Sequence, residues 1–137
     1  MSTRPAERLR QPPSQRFATS EDVIDLKQAA QRLVRQSSDT QGHRQMTLFK
    51  QGPATLALFL FDEGARLADH VVDGPVIIHV LAGRVKVATD AATHELAEGT
   101  LLRLAPKVRH DLEATEPSQV LMTMCLEGPD SGRDAVQ

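Results

Sequence analysis

Two of the five histidines in this chain, His70 and His110, close stretches that echo one another. One stretch runs Gly64-Ala65-Arg66-Leu67-Ala68-Asp69-His70 and continues to Gly83. The other runs from Gly99 through Leu101–Leu104 and Pro106 to His110. Each has a glycine, an extended apolar stretch or its remnant, and one imidazole. An imidazole changes charge near neutral pH, ligates transition metals through a ring nitrogen, and trades protons with a bound molecule. Two imidazoles aimed into one hollow have three uses: holding a divalent ion, fixing a small polar ligand, or letting His110 act as a general base.

Few other groups are placed to join them. Asp69 and Asp111 adjoin the two histidines, and strand alternation sends each to the opposite face from its neighbour. Asp73 and Glu113 lie three positions from a histidine, the wrong parity unless a bulge intervenes. His79 points away from a cavity if Val76, Ile78 and Val80 face it, which leaves His79 the weakest of the metal candidates. Met122 and Met124 read as core filler and Cys125 as a small buried apolar residue. Arg103 either meets an anionic ligand or faces outward to a second subunit. His43 and His94 read as solvated.

The elements that must position these residues follow from periodicity. Ser20 is an N-cap candidate with Glu21 and Asp22 behind it. Val23, Ile24, Leu26, Ala30, Leu33 and Val34 then recur at near-helical spacing, predicting a helix over about 21–36. From residue 44 the period shortens, and short strands follow one another with turn signals every ten or so residues. The turns are Gln51-Gly52-Pro53, Asp62-Glu63-Gly64, Asp73-Gly74-Pro75, Ala82-Gly83, Asp90-Ala91-Ala92, Glu98-Gly99 and Glu116-Pro117-Ser118. Absence of helices after residue 36 excludes a parallel βαβ sheet. The expected architecture is all-β, an antiparallel barrel of jelly-roll type with one N-terminal helix. It divides as a disordered basic tail (1–19), helix and linker (20–43), barrel (44–127) and polar C-terminal tail (128–137).

The 137 residues suffice for one domain. A net charge of −2, with neither tryptophan nor tyrosine, argues against a nucleic-acid binder. No apolar run reaches the roughly 18 residues of a membrane span. The single cysteine excludes an internal disulfide and fits a reducing, cytoplasmic setting.

These residues resemble the cupin superfamily, specifically its small single-domain members of RmlC-like jelly-roll type. The first cupin motif runs from a glycine through His-x-His and a glutamate to a second glycine. Here it maps onto Gly64, His70, Val72, Val76 and Gly83, so valines stand at the second histidine and at the glutamate. The second motif, a glycine, a proline loop and a histidine, maps onto Gly99, Pro106 and His110. The loop reads Ala-Pro-Lys-Val-Arg-His where the family more often has Pro-Pro-Gly-x-x-His. The run Gly-Pro-Val-Ile-Ile-His-Val-Leu-Ala-Gly is similar to the Gly-Pro-x-x-x-Gln-Val-Leu-x-Gly of bacterial cupins lacking the second histidine. The likeness covers roughly residues 46–126.

In metal-binding relatives, three histidines and a glutamate hold one divalent ion (zinc, iron, manganese or nickel). The resemblance therefore implies His70 and His110 as residual ligands of a degenerate site; His79, outside both motifs, is a remote third candidate. Two function classes follow. One is a small-molecule-binding or regulatory module whose pocket comprises His70, Val72, Val76, Ile78 and His110. The alternative is a metal-dependent enzyme of dioxygenase or isomerase type that completes its sphere with an unidentified ligand. The missing glutamate favours the first, and the lack of tyrosine disfavours a sugar-nucleotide epimerase. Thr55 to Phe61 is apolar on both faces, which predicts surplus hydrophobic surface and a two-fold homodimer.

Overall fold

The computed structural model describes residues 20–36 and 42–126, so the expected tails at 1–19 and 128–137 lie outside the described residues. The one helix among the described residues, α1, is shorter than its periodicity suggests, spanning Leu26–Val34. Its N-cap is Asp25 rather than Ser20. The Asp25 side chain accepts a hydrogen bond from the Gln28 backbone N–H at 3.0 Å, satisfying a donor that the first turn cannot. Val23, counted above in the apolar stripe, is 95% exposed. The stripe that is buried consists of Ala29, Ala30 and Leu33.

Nine strands follow: β1 (His43–Gln51), β2 (Ala54–Phe61), β3 (Arg66–His70), β4 (Val76–Ala82), β5 (Arg84–Thr89), β6 (Thr93–Ala97), β7 (Leu101–Leu104), β8 (His110–Ala114) and β9 (Ser118–Cys125). They pair antiparallel into a five-stranded sheet of order β1-β2-β9-β4-β7 and a four-stranded sheet of order β3-β8-β5-β6. This is a jelly-roll arrangement: β2 to β5 and again β6 to β9 alternate between the two sheets, while β1–β2 and β5–β6 are hairpins within one sheet.

Period-two alternation fixes which side chains meet between the sheets. Phe59, Phe61, Val76, Ile78, Val80, Val120 and Met122 face inward from the larger sheet. Val85, Val87, Leu96, Leu112 and Ala114 face them from the smaller one, forming a single cluster. The outward face of β2 is covered by the chain itself. Leu58 and Leu60 pack against Ala29, Ala30 and Leu33 of α1, with Met46, Leu48 and Leu81 around them. Much of the surplus apolar surface anticipated for this strand is thus buried by the helix.

His43, expected in a solvated loop, begins β1 and is only 7% exposed. Its Cα partner is Phe61, so its ring lies on the inward face. There it meets Phe59 and Phe61 at centroid distances of 5.9 and 5.7 Å. The two phenylalanines stack at 5.6 Å with planes 6° apart. The same-face relation of His43 to these rings was hidden because the strand starts one residue earlier than expected.

Close packing requires a glycine at position 83. A Cβ on Gly83, whose φ is +88°, would lie 2.3 Å from the Pro117 carbonyl oxygen and from Ser118 Oγ.

Candidate functional site

His70 ends β3 and His110 opens β8, and the two are Cα partners across these strands. Their adjacency depends on an irregularity. Leu67 pairs with Leu112, and the next partnership is His70 with His110, so three steps on β3 match two on β8. Leu67 packs against the core. Without the additional residue, His70 would have the parity of the outward face; the bulge returns it to the inward face.

The bulge is held by identifiable contacts. Asp69 adopts a left-handed backbone with φ +54°. Its N–H donates to the Asp111 carboxylate. That hydrogen bond occupies Asp111 outside the barrel and gives it a structural part rather than a ligand's part. Across the mouth, Lys107 is also left-handed, with φ +66°. Its N–H donates to the Val72 carbonyl at 2.8 Å. Among the described residues, Asp69 and Lys107 are the only non-glycine residues with positive φ. Such conformations cost of order 1–3 kcal/mol each and persist only where surrounding contacts enforce them. Lys107 occupies the place of the glycine in the loop pattern described above.

The imidazoles meet nearly edge to face, with centroids 5.0 Å apart and planes at 85°. His70 Nδ1 lies 3.1 Å from His110 Nε2. His110 Nδ1 lies 3.0 Å from the Val108 carbonyl oxygen. A carbonyl only accepts, so His110 Nδ1 carries the proton. In the neutral ring Nε2 is then the acceptor, and His70 Nδ1–H is the donor. His110 is 1% exposed and has both nitrogens engaged. Among the described residues, no hydrogen bond is formed by His70 Nε2. Burial lowers the His70 pKa below the ordinary imidazole value, and a positive charge on His110 would lower it further.

The remaining predicted site residues are distributed differently. Val72, Val76 and Ile78 are 6%, 1% and 0% exposed, inside the core cluster. They form an apolar floor with little surface to offer. His79 pairs with Leu101 and Leu121 and lies on the opposite face of β4 from Val76 and Ile78. It is separated from the histidine pair by the thickness of the sheet. Arg103 pairs with Ile77 on that same outer face. Cys125 lies one position beyond Met124, whose partner is the inward-facing Val76, so the thiol also points out.

The metal site that the motif implies does not fit these residues. Buried valines stand in place of two donors, and His110 Nε2, the atom a shared ion would need, is occupied by His70. Among the described residues, no group of three His, Cys, Asp or Glu side chains is gathered to hold an ion, whereas catalytic sites normally keep about three protein ligands.

Sequence reasoning missed a cavity whose walls adjoin His110. Thr89, Asp90, Ala91, Lys107, Val108 and Arg109 line about 510 Å³. Thr89 is the Cα partner of His110 on β5, so it shares the inward face. Its Oγ1 accepts from the N–H groups of Ala91 and Ala92, both at 3.2 Å, shaping the hairpin that forms one wall. Val108, on the opposite wall, supplies the carbonyl that fixes the His110 tautomer. The available signal was the pair of cations flanking Val108, next to a histidine already singled out.

Solved structures share this fold. An RmlC-like cupin from Shewanella frigidimarina is 20% identical, with a TM-score of 0.61 over 68% of this chain and 85% of that one. A conserved protein of unknown function from Streptococcus pyogenes is 22% identical, with a TM-score of 0.64 over 80% and 91%. KdgF from a Halomonas species is 21% identical, with a TM-score of 0.61 over 69% and 89%. No curated protein matches the sequence. The family described as the AraC-like ligand binding domain matches residues 55–127. That span runs from β2, through both histidines and the cavity walls, to the end of β9. The barrel is a small cupin domain, and the chain belongs to the family of AraC-like ligand binding domains.

Proposed function

We propose that this domain binds a small molecule at the barrel mouth, with His70 as the polar contact and the buried valines as an apolar floor. The observation that carries this reading is the hydrogen bond from His70 Nδ1–H to His110 Nε2. It commits one imidazole to orienting the other and removes the atom through which both would share an ion. What remains without a hydrogen bond among the described residues is His70 Nε2, and the Val108 that holds the partner ring through its carbonyl lines a cavity. An apolar setting with a few fixed polar groups is the usual composition of a ligand pocket. The family match supports the same reading. A metal-dependent dioxygenase or isomerase, the alternative raised by the motif, requires donors that the site lacks.

Elemental analysis of natively purified protein, beside His70→Ala and His110→Ala variants, tests this proposal. The expected result is well under one equivalent of zinc, iron, manganese or nickel in all three proteins. Small-molecule screening by NMR should perturb the His70 ring resonances of the wild type. One equivalent of metal in the wild type, lost in both variants, would overturn the proposal and restore the enzyme reading.

A further inference from the structure

The cavity lined by Thr89, Asp90, Ala91, Lys107, Val108 and Arg109 carries a charge pattern that the histidine pair does not explain. Two cations, Lys107 and Arg109, face it against one carboxylate, Asp90. They alternate along the β7–β8 loop, with Val108 between them packed against the core. Val108 is also tied to the His110 ring through its carbonyl. Thus the segment bearing both charges is anchored at its middle residue.

Lys107 is the more informative of the two. Its backbone is left-handed, with φ +66°, a conformation in which a β-carbon is unfavourable and glycine is free of penalty. The Lys107 side chain is exposed, so burial does not repay the strain. Its N–H is tied to the Val72 carbonyl, which a glycine's N–H would do equally well. Folding therefore gains nothing from lysine here. What lysine adds is a positive charge at the rim of a cavity whose walls adjoin His110.

We infer that this cavity takes a small organic carboxylate, with Lys107 and Arg109 holding the anion. This inference rests on the small-molecule reading above and names the ligand's class. An arginine offers a carboxylate two parallel N–H donors, and a lysine a mobile point charge. Asp90 accepts from a hydroxyl or ammonium elsewhere on the same molecule, so hydroxy acids and amino acids suit the lining better than simple fatty acids.

The test uses the full chain, ¹⁵N-labelled and titrated separately with lactate, alanine, inorganic phosphate and glucose. Lactate or alanine should shift the amide resonances of residues 89–91 and 107–109. The affinity should fall as sodium chloride is raised, because charges at an open rim are screened. Lys107→Gly should show two effects of opposite sign: affinity drops roughly threefold to tenfold, while the melting temperature rises by roughly 2–4 °C as the strain is relieved. Arg109→Gln, which leaves the backbone conformation alone, should weaken binding without that rise. Phosphate binding in place of the carboxylates would overturn the assigned class. Equal binding by Lys107→Gly and wild type would overturn the role of the cation. If glucose alone acts, shifting the His70 ring and leaving 107–109 still, the small-molecule reading survives and this inference falls. If none of the four moves either set of resonances, this inference falls as well.

Discussion

A carbonyl oxygen decides the electronic state of the site. By accepting from His110 Nδ1, the Val108 carbonyl leaves His110 Nε2 as an acceptor, and that in turn makes His70 the donor. Burial of His70 opposes its own cation. The stability consequence has a definite sign. An unfolded chain binds a proton at His70 near the usual imidazole value of about 6.5, and the folded chain binds it only at lower pH. The stabilisation is complete above that unfolded value and is lost as pH falls through the window between the two pKa values. Melting temperatures from pH 7.5 down to 5 should therefore decline more steeply in wild type than in His70→Gln, which keeps a donor for His110 but does not titrate. Parallel curves would contradict this account. The two histidines were legible in the sequence because each ended a similar stretch. Their tautomers were not, since these depend on a carbonyl whose direction only the folded loop defines.

At the scale of elements, β3 bears the consequence of one additional residue. Simple alternation from Leu67 sends His70 outward, and only the bulge brings it to His110. A bulge leaves a weak trace in sequence: Asp is among the few non-glycine residues that tolerate a left-handed backbone, and Asp69 does so here. The partner that secures it, Asp111, is far away in sequence. No local pattern announces that contact. Asp111→Ala should cost about 1 kcal/mol of unfolding free energy in urea titrations, the usual worth of an exposed hydrogen bond to a carboxylate. It should also broaden or shift the His70 ring signals, because the bulge loses its tether. Asp111→Asn, which retains an acceptor oxygen, should recover most of both effects. If Asp111→Ala leaves the ring signals untouched, the bulge does not depend on this carboxylate. For β4 the sequence offered an inward set, Val76, Ile78 and Val80, only as a condition; these three face inward, as do Val120 and Met122 of β9.

For the molecule as a whole, the jelly roll followed from turn signals and strand length, and the β-strand expected to be apolar on both faces is so. What the pattern could not say was how far α1 covers the outer surface. The helix shields Leu58 and Leu60 at one side of the larger sheet. Toward β7, Ile77, His79 and Leu121 are partly exposed on the same face, and Leu101 is 58% exposed. We propose that a second copy of the chain covers this strip about a two-fold axis, bringing His79 and Arg103 into the interface. Sedimentation at micromolar concentration should give a dimer of twice 15.0 kDa, and Leu101→Asp should shift it to monomer, since a buried unpaired charge is costly. A wild-type protein that sediments as a monomer would remove the proposal. No helix among the described residues is long and apolar enough to cross a membrane.

The crossing at Gly74 has a practical consequence. A Cβ there would stand 1.6 Å from the Cys125 carbonyl oxygen, so the turn before β4 rests directly on the end of β9. Two residues upstream, Val72 is bonded through its carbonyl to the loop that carries Lys107. The residue that bears the sole thiol of the chain is therefore in backbone contact with a strap running back to the barrel mouth. A maleimide fluorophore attached at Cys125 would report on movements of that strap from a distance, with no engineered cysteine required.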